Sequence, residues 1–414
     1  MKQYWKTLVI VLAVLLSIGS FYVKNAVSAS SLPQFTFVKE SGDESEIMPI
    51  VLEGSFDRSG HFGSAESLHI SNNRIQYSSE QSFFEQITER YRHIYGIRDL
   101  QEKYPSFMRG KWDPASFYED KDVLAYAAIK EEGNSEKKEY SFNISLLDKK
   151  KGEWNDFKIE IPLKKSILFM SEVDVQLIGR TLKVVTEQDF YTNSDFQPKE
   201  VHVYSIDLSS KKIIADNLIF KNEKAGSSFI NYQKLNEINI RNPNQYVVYE
   251  KYHLEEGTDS YGNKTMDKQS GELIAYNLET GKQETIQAGT INDSSYTGYE
   301  SFYDNSSIYV INRDTEKLEI ETHDIKSKQL TNTFEFPTVP SQMPEDTNTR
   351  VIIKNNRIYL YSADESYPRQ TQQPPGLLVV SDLMTGKKLY KGKLVAKKGT
   401  EIEGILRIHY MEIK

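Results

Sequence analysis

Residues Gly376–Leu394 read GLLVVSDLMTGKKLYKGKL, and this stretch decides the fold. An apolar run, Leu377-Leu378-Val379-Val380, leads into the polar turn Asp382-Leu383-Met384-Thr385-Gly386-Lys387. The chain then returns as Leu389-Tyr390-Lys391-Gly392-Lys393-Leu394, with apolar and small or charged residues interleaved. Two such runs around a Gly-bearing turn predict an antiparallel hairpin. Glycine supplies the positive φ that closes a short turn, and Thr or Ser before it bonds locally to the backbone.

The same unit recurs upstream. It is found at Glu139–Trp154, Glu200–Leu218, Glu272–Ala288 and Leu318–Phe334, each an alternating strand, a polar turn and a Lys-rich return. Ile206-Asp207-Leu208-Ser209-Ser210-Lys211 and Asn277-Leu278-Glu279-Thr280-Gly281-Lys282 are variants of the turn at 382–387. A second element precedes most hairpins: an Asn- or Asp-bearing turn followed by a strand. It occurs at Glu119–Tyr126, Asp304–Val310 and Lys354–Tyr361, with an earlier copy at Ser71–Tyr77 and a weaker one at Ile178–Val184. Together the two elements predict a four-stranded antiparallel unit.

Turns taken at Lys150, Ser210, Gly281, Ser327 and Gly386 fall 60, 71, 46 and 59 residues apart. A four-stranded unit recurring in this way is the signature of a propeller blade, here with long loops. Over Gly110 to Leu394 the chain resembles exported bacterial β-propeller-repeat proteins of the quinoprotein-like and WD40-like kind. The resemblance implies an all-β fold of about six to seven four-stranded blades. Another multi-sheet all-β architecture is the alternative, and likeness of fold implies nothing about activity. The strands expected at Ile47–Phe56 and Glu401–Ile413 lie at opposite ends of the domain and are placed to share one blade, which removes exposed edges. One stretch, Glu80–Tyr95, has helical spacing, with Phe83, Phe84, Ile87, Tyr91, Ile94 and Tyr95 on one side.

The N-terminus reads differently. Lys2 and Lys6 precede an uncharged run from Thr7 to Val23, and Lys24 follows it. Two lysines before the run against one after it predict a cytoplasmic N-terminus. As a helix the run is about 25 Å long, just short of the hydrocarbon thickness, with Trp5 and Tyr22 at the two interfaces. A cleaved signal peptide is the competing reading, since Val27-Ser28-Ala29 offers a cleavage site after Ala29. The expected organisation is therefore an anchor or signal segment at 1–29, a tether and lead-in at 30–46, and an extracytoplasmic domain at 47–414. Either way the domain lies outside the cytoplasm; the retained single-pass anchor is favoured, and a secreted protein is the alternative.

Composition excludes several functions. The 414 residues contain no cysteine, which removes disulfides, thiolate nucleophiles, Cys-based zinc sites and iron–sulfur clusters. A net charge of -8 and a pI near 5.6 argue against nucleic acid as a partner. The 26 tyrosines and 19 phenylalanines suit pleated, half-buried surfaces.

No residue qualifies as a catalytic, cofactor or metal site. The seven histidines (His61, His69, His93, His202, His253, His323 and His409) show no metal-site pairing at i, i+2 or i, i+4. Ser55–Phe62 departs from the sialidase Asp-box by an extra residue between Asp57 and Gly60. The loop Asp259–Asp267 puts Tyr261 where a calcium loop needs a ligand. Only three tryptophans are present, against the regular set of quinoprotein dehydrogenases. The Pro-rich loops Phe336–Pro344 and Ser366–Pro375 are places where a rigid scaffold carries binding residues. The expected function is a non-catalytic, membrane-tethered binding, sensing or accessory protein, with another membrane or envelope protein as partner. The alternative is an enzyme acting on envelope carbohydrate through paired carboxylates in the propeller cavity. A plain scaffold is the third reading.

Overall fold

The computed structural model describes residues 5–29, 32–57, 65–71, 74–81, 97–133, 138–163, 165–192, 196–258, 262, 264–286, 301–313, 317–338, 347–364, 376–397 and 404–414. A 25-residue helix, α1 (Trp5–Ala29), comes first. Strands β1 (Phe35–Gly42), β2 (Ile50–Asp57), β3 (Glu66–Ser71) and β4 (Arg74–Tyr77) follow, then the short α2 (Arg98–Lys103). From there the chain is almost wholly strand. It runs through β5 (Phe117–Glu119), β6 (Val123–Gly133), β7 (Lys138–Asp148) and β8 (Glu153–Glu160), which form sheet II in the order β5-β6-β7-β8. Next come β9 (Ile167–Ile178), β10 (Thr181–Phe190), β11 (Lys199–Asp207) and β12 (Lys212–Lys221), which form sheet III in the same way.

Sheet IV has the order β13-β14-β16-β17-β18, from β13 (Glu223–Ala225), β14 (Ser228–Lys234), β16 (Tyr246–Thr258), β17 (Lys264–Asn277) and β18 (Gln283–Ile286). The two-residue β15 (Asn236–Glu237) instead joins sheet V, parallel to β19 (Phe302–Tyr303). That sheet continues with β20 (Ser307–Arg313), β21 (Lys317–Asp324) and β22 (Leu330–Pro337). The last strands are β23 (Thr347–Lys354), β24 (Arg357–Asp364), β25 (Gly376–Asp382), β26 (Lys388–Ala396) and β27 (Ile405–Ile413). Sheet VI has the order β1-β26-β25-β24-β23, and sheet I the order β27-β2-β3-β4. Strands from both ends of the chain therefore pair, Leu52 with Met411 and Phe37 with Leu394. The expected sharing of a sheet by the segments near residues 50 and 410 is present.

The chain divides into two compact units. One comprises Met1–His93, Thr315–Lys317 and Pro337–Lys414, and carries sheets I and VI. The other comprises Ile94–Asp314 and Leu318–Phe336, and carries sheets II to V, apart from end residues of two strands.

Within the second unit each sheet packs on the next, because neighbouring residues in a strand point to opposite faces. In sheet III, Val184 and Tyr204 join a core with Ala125, Phe142 and Ile144 of sheet II. Their neighbours Val185 and Val203 join a different core with Val247, Tyr249 and Ile274 of sheet IV. Sheet IV repeats the device: Val248 and Ala275 pack with Tyr303, Ile308 and Val310 of sheet V. A sheet covered on both faces needs apolar residues at every position of its central strands. The pattern accounts for the unbroken apolar runs, while the edge strand β8 is mostly exposed. In the first unit one core joins Phe35, Tyr361, Leu378 and Tyr390 of sheet VI to Leu52, Phe56, Ile70 and Ile408 of sheet I.

The recurring hairpin turns share one construction. The carboxylate or amide of Asp148, Asp207, Asn277, Asp324 and Asp382 accepts hydrogen bonds from backbone N–H groups two or three residues on. The residue four positions after each one has positive φ: Gly152, Lys211, Gly281, Lys328 and Gly386. The expected role of Gly281 and Gly386 holds, and Thr280 and Thr385 each accept from the amide two residues on. At two positions lysine takes the glycine's place. The Asn355-Asn356 turn also forms, with both residues at positive φ between paired Lys354 and Arg357, as a two-residue hairpin of type I′ demands.

Some expectations fall outside the described residues: the helical stretch Glu80–Tyr95 beyond residue 81, most of the loops at 58–64 and 259–263, and the Pro-rich loops beyond residues 338 and 364. Phe35–Gly42, in the lead-in, is strand β1. Among the described residues no helix is long and apolar enough to cross a membrane. The run Thr7–Val23 does lie within α1, but the side chains at 7, 8, 18 and 21–29 are not among those described.

Candidate functional site

Two places in the second unit have the chemistry to matter, and both are built from the ends or edges of its sheets. The first is buried. β9 is an edge strand of sheet III, and a register shift against β10 falls between Val185 and Thr186, pairing them with Asp174 and Glu172. Such a bulge re-aims the side chains around it. Asp174 is fully buried; Gln176 Nε2 donates to its Oδ1 at 3.0 Å, and its Oδ2 has no hydrogen-bond partner. Glu237, on β15, accepts from Asn244 Nδ2 at 2.8 Å and from the Tyr303 hydroxyl at 3.4 Å. Lys234, at the end of β14, places Nζ 3.8 Å from Glu237 Oε2. Gln176 Oε1 in turn accepts from the Asn244 backbone N–H at 2.8 Å, tying β9 to the segment after β15.

Burial controls the protonation here. Loss of water around Asp174 raises its carboxyl, against the opposing pull of Lys234. Burial, then the nearby Asp174 carboxylate, pushes Glu237 up to about 8, with Lys234 and Asn244 opposing. Burial also lifts the Tyr303 and Tyr249 hydroxyls well above their ordinary value. Both shifts favour the neutral acid, which lessens the charge that a dry interior has to hold.

This is a carboxylate pair, yet it faces no opening. Asp174 is 0% exposed and the Glu237 side chain 1%. A general acid or base has to reach its substrate within hydrogen-bond distance. The pair joins sheets III, IV and V as a polar core.

The second place is open. A cleft of about 750 Å³ lies at the turn-bearing ends of sheets II and III. Its walls come from the β7–β8 turn (Asp148, Lys150, Lys151), the start of β8 (Glu153, Trp154, Asn155), the β9–β10 turn at Arg180, and Ser209 of the β11–β12 turn. Trp154 is 45% exposed. Its ring lies nearly perpendicular to Phe107 with centroids 6.2 Å apart, and its indole N–H donates to Asp156 Oδ2 at 3.2 Å. Asp122 pairs with Lys150 at 2.7 Å, and Asp148 with Lys151 at 3.7 Å. Asp148 also accepts from the Lys150 and Lys151 amides, which holds its carboxyl below the ordinary carboxylate range. Two of the three acids lining the cleft are thus engaged in forming the turn or in ion pairs.

The histidines are dispersed. His69 lies 3.4 Å from Glu53, His323 3.0 Å from Glu321, and His409 2.7 Å from Ser55. His202 sits between Asp216 at 2.6 Å and Glu200 at 3.3 Å. His253 is on β16, and His61 and His93 lie outside the described residues. Among the described residues no group of three or more His, Asp or Glu could hold a metal ion.

Sequence reasoning missed both places. The signal for the buried cluster was Glu172-Val173-Asp174-Val175-Gln176, a strand whose polar residues are out of place in an apolar core. That for the cleft was Trp154, one of only three tryptophans, beside a charged turn.

No protein-family description matches the chain, and no curated protein matches it. Solved structures do. TolB from Acinetobacter baumannii is similar at 9% identity and a TM-score of 0.25, over 87% of this chain and 66% of that one. Porphyromonas gingivalis dipeptidyl peptidase 4 is similar at 9% identity and 0.26, over 65% and 44%. The Dos1 propeller is similar at 8% identity and 0.27, over 67% and 82%. The chain thus spans less than two thirds of the length of the first two. Likenesses this slight carry no property of those proteins over to this one.

Proposed function

We propose that this protein is a non-catalytic binding, sensing or accessory protein that works outside the cytoplasm on a membrane tether, and that the cleft beside Trp154 is its ligand site. The contrast between the two places carries the reading. The buried carboxylates are sealed from any substrate, whereas the open cleft offers an exposed indole ringed by polar groups, the composition of a recognition surface.

Each of the six sheets is taken as a blade of the β-propeller kind. Their antiparallel pairing, the β15–β19 pair excepted, and the sheet shared by both chain ends support this assignment. The tether is argued from the uncharged run Thr7–Val23, the lysines around it, and the exposed apolar side chains of α1 from Val9 to Leu16. Such a helix left in water costs the free energy of its exposed apolar area, which a bilayer removes.

Purified full-length protein incubated with a panel of envelope and extracellular polysaccharides tests the absence of catalysis. The expected result is no release of reducing ends above the rate of a heat-denatured control. Sustained turnover, abolished by changing an acid of the cleft such as Glu153→Gln, would replace this reading with an enzyme.

A further inference from the structure

We infer that the cleft at the ends of sheets II and III takes an uncharged oligosaccharide; the inference rests on the cleft being the ligand site. The first argument is charge. Asp122, Asp148 and Glu153 face Lys150, Lys151 and Arg180, three formal charges of each sign. Two of the lysines are already paired with the acids, so the wall offers hydrogen-bonding groups with no net field. A polyphosphate or a uronic-acid polymer needs an excess of cations, which this cleft does not provide.

The second argument is the indole. The Trp154 N–H is committed to Asp156, and the Phe107 ring stands nearly perpendicular to the indole with centroids 6.2 Å apart. What the ring has left to offer a ligand is an apolar face, held in place before the ligand arrives. A sugar ring presents a face of C–H groups to such a surface. Its rim carries hydroxyls that both donate and accept. Arg180, Asn155, Glu153 and Ser209 supply donors and acceptors around the cleft for that rim.

The third argument is size. At about 750 Å³ the cleft holds several sugar units and falls in the range of small-ligand sites. A lipid would need walls with less charge. An extended peptide would more naturally add to the edge strand β8, drawing on main-chain hydrogen bonds rather than on Trp154.

The test uses the full chain in detergent micelles and three neutral probes: tetra-N-acetylchitotetraose, cellotetraose and maltotetraose. Titration calorimetry and tryptophan fluorescence are read up to about 10 mM sugar, as single-site affinities for such ligands are weak. At least one probe is expected to bind. Trp154→Ala should weaken it about tenfold or more, while Trp154→Phe retains most of the affinity, with both variants still unfolding cooperatively and the melting temperature of each lowered only by the lost contacts to Phe107 and Asp156. Binding that is indifferent to Trp154, or no binding by any of the three, overturns the inference. A photo-crosslinking residue at Ser209, activated in intact membranes, separates the two levels. Protein adducts without sugar binding would overturn the oligosaccharide and leave the cleft as the ligand site. Neither adducts nor sugar binding would overturn both.

Discussion

Glu237 is the residue on which the interior of the second unit is most finely balanced. Its proton is held more tightly in the folded chain than in the unfolded one, because burial and Asp174 both disfavour its charge. Below the ordinary carboxylate range both states are protonated and the group contributes no pH dependence. As pH rises from that range to about 8, the unfolded chain releases the proton while the folded chain keeps it, so stability falls. The slope from one such group is about 1.4 kcal/mol per pH unit at most. Thermal melts of the Glu237→Gln variant should therefore fall less steeply than wild type between pH 5 and pH 8, the two curves drawing together at the acidic end. Parallel curves would show that the group is charged in the folded state. None of this was legible from the sequence. Asp174 and Glu237 lie 63 positions apart in it, and only the bulge in β9 and the crossing of β15 into sheet V bring them under the influence of one lysine.

At the scale of the element, the hairpins were the most legible part. The period-2 runs and the Thr-Gly-Lys and Asn-Asn turns specify local pairing, and local pairing is what a single sequence encodes best. Less visible was the first residue of the turn, the Asp or Asn whose side chain caps it, because aspartate is common in every loop. Also hidden was the use of Lys211 and Lys328 where the backbone demands positive φ. A β-carbon in that conformation costs about 1 kcal/mol or more. Lys328→Gly should relieve it, offset in part by loss of the exposed ion pair to Glu284. The expected outcome is a gain of about 0.5–1 kcal/mol in denaturant unfolding, with the m-value unchanged. A loss of stability would mean that the ion pair outweighs the backbone strain. Where the short β15 pairs was not readable either: two residues carry no periodicity, and its parallel partner lies more than sixty residues downstream.

At the scale of the whole molecule, the strand-rich class and the pairing of the chain ends through β2 and β27 followed from the sequence, since alternating segments lie at opposite ends of the domain and one sheet shared between them removes exposed edges. The surface that serves function did not follow, because a cleft is made by the ends of four turns brought together only in the fold. The central proposal is a domain that is held outside the cytoplasm by its own N-terminal helix and binds ligands in the envelope. The direct measurement is fractionation of cells expressing the full chain, with alkaline extraction of the membranes and N-terminal sequencing of the mature protein. The expected product stays with the membrane after extraction and begins at or near Met1. A soluble product beginning at Ser30 would contradict it, showing that residues 1–29 direct export and are then removed.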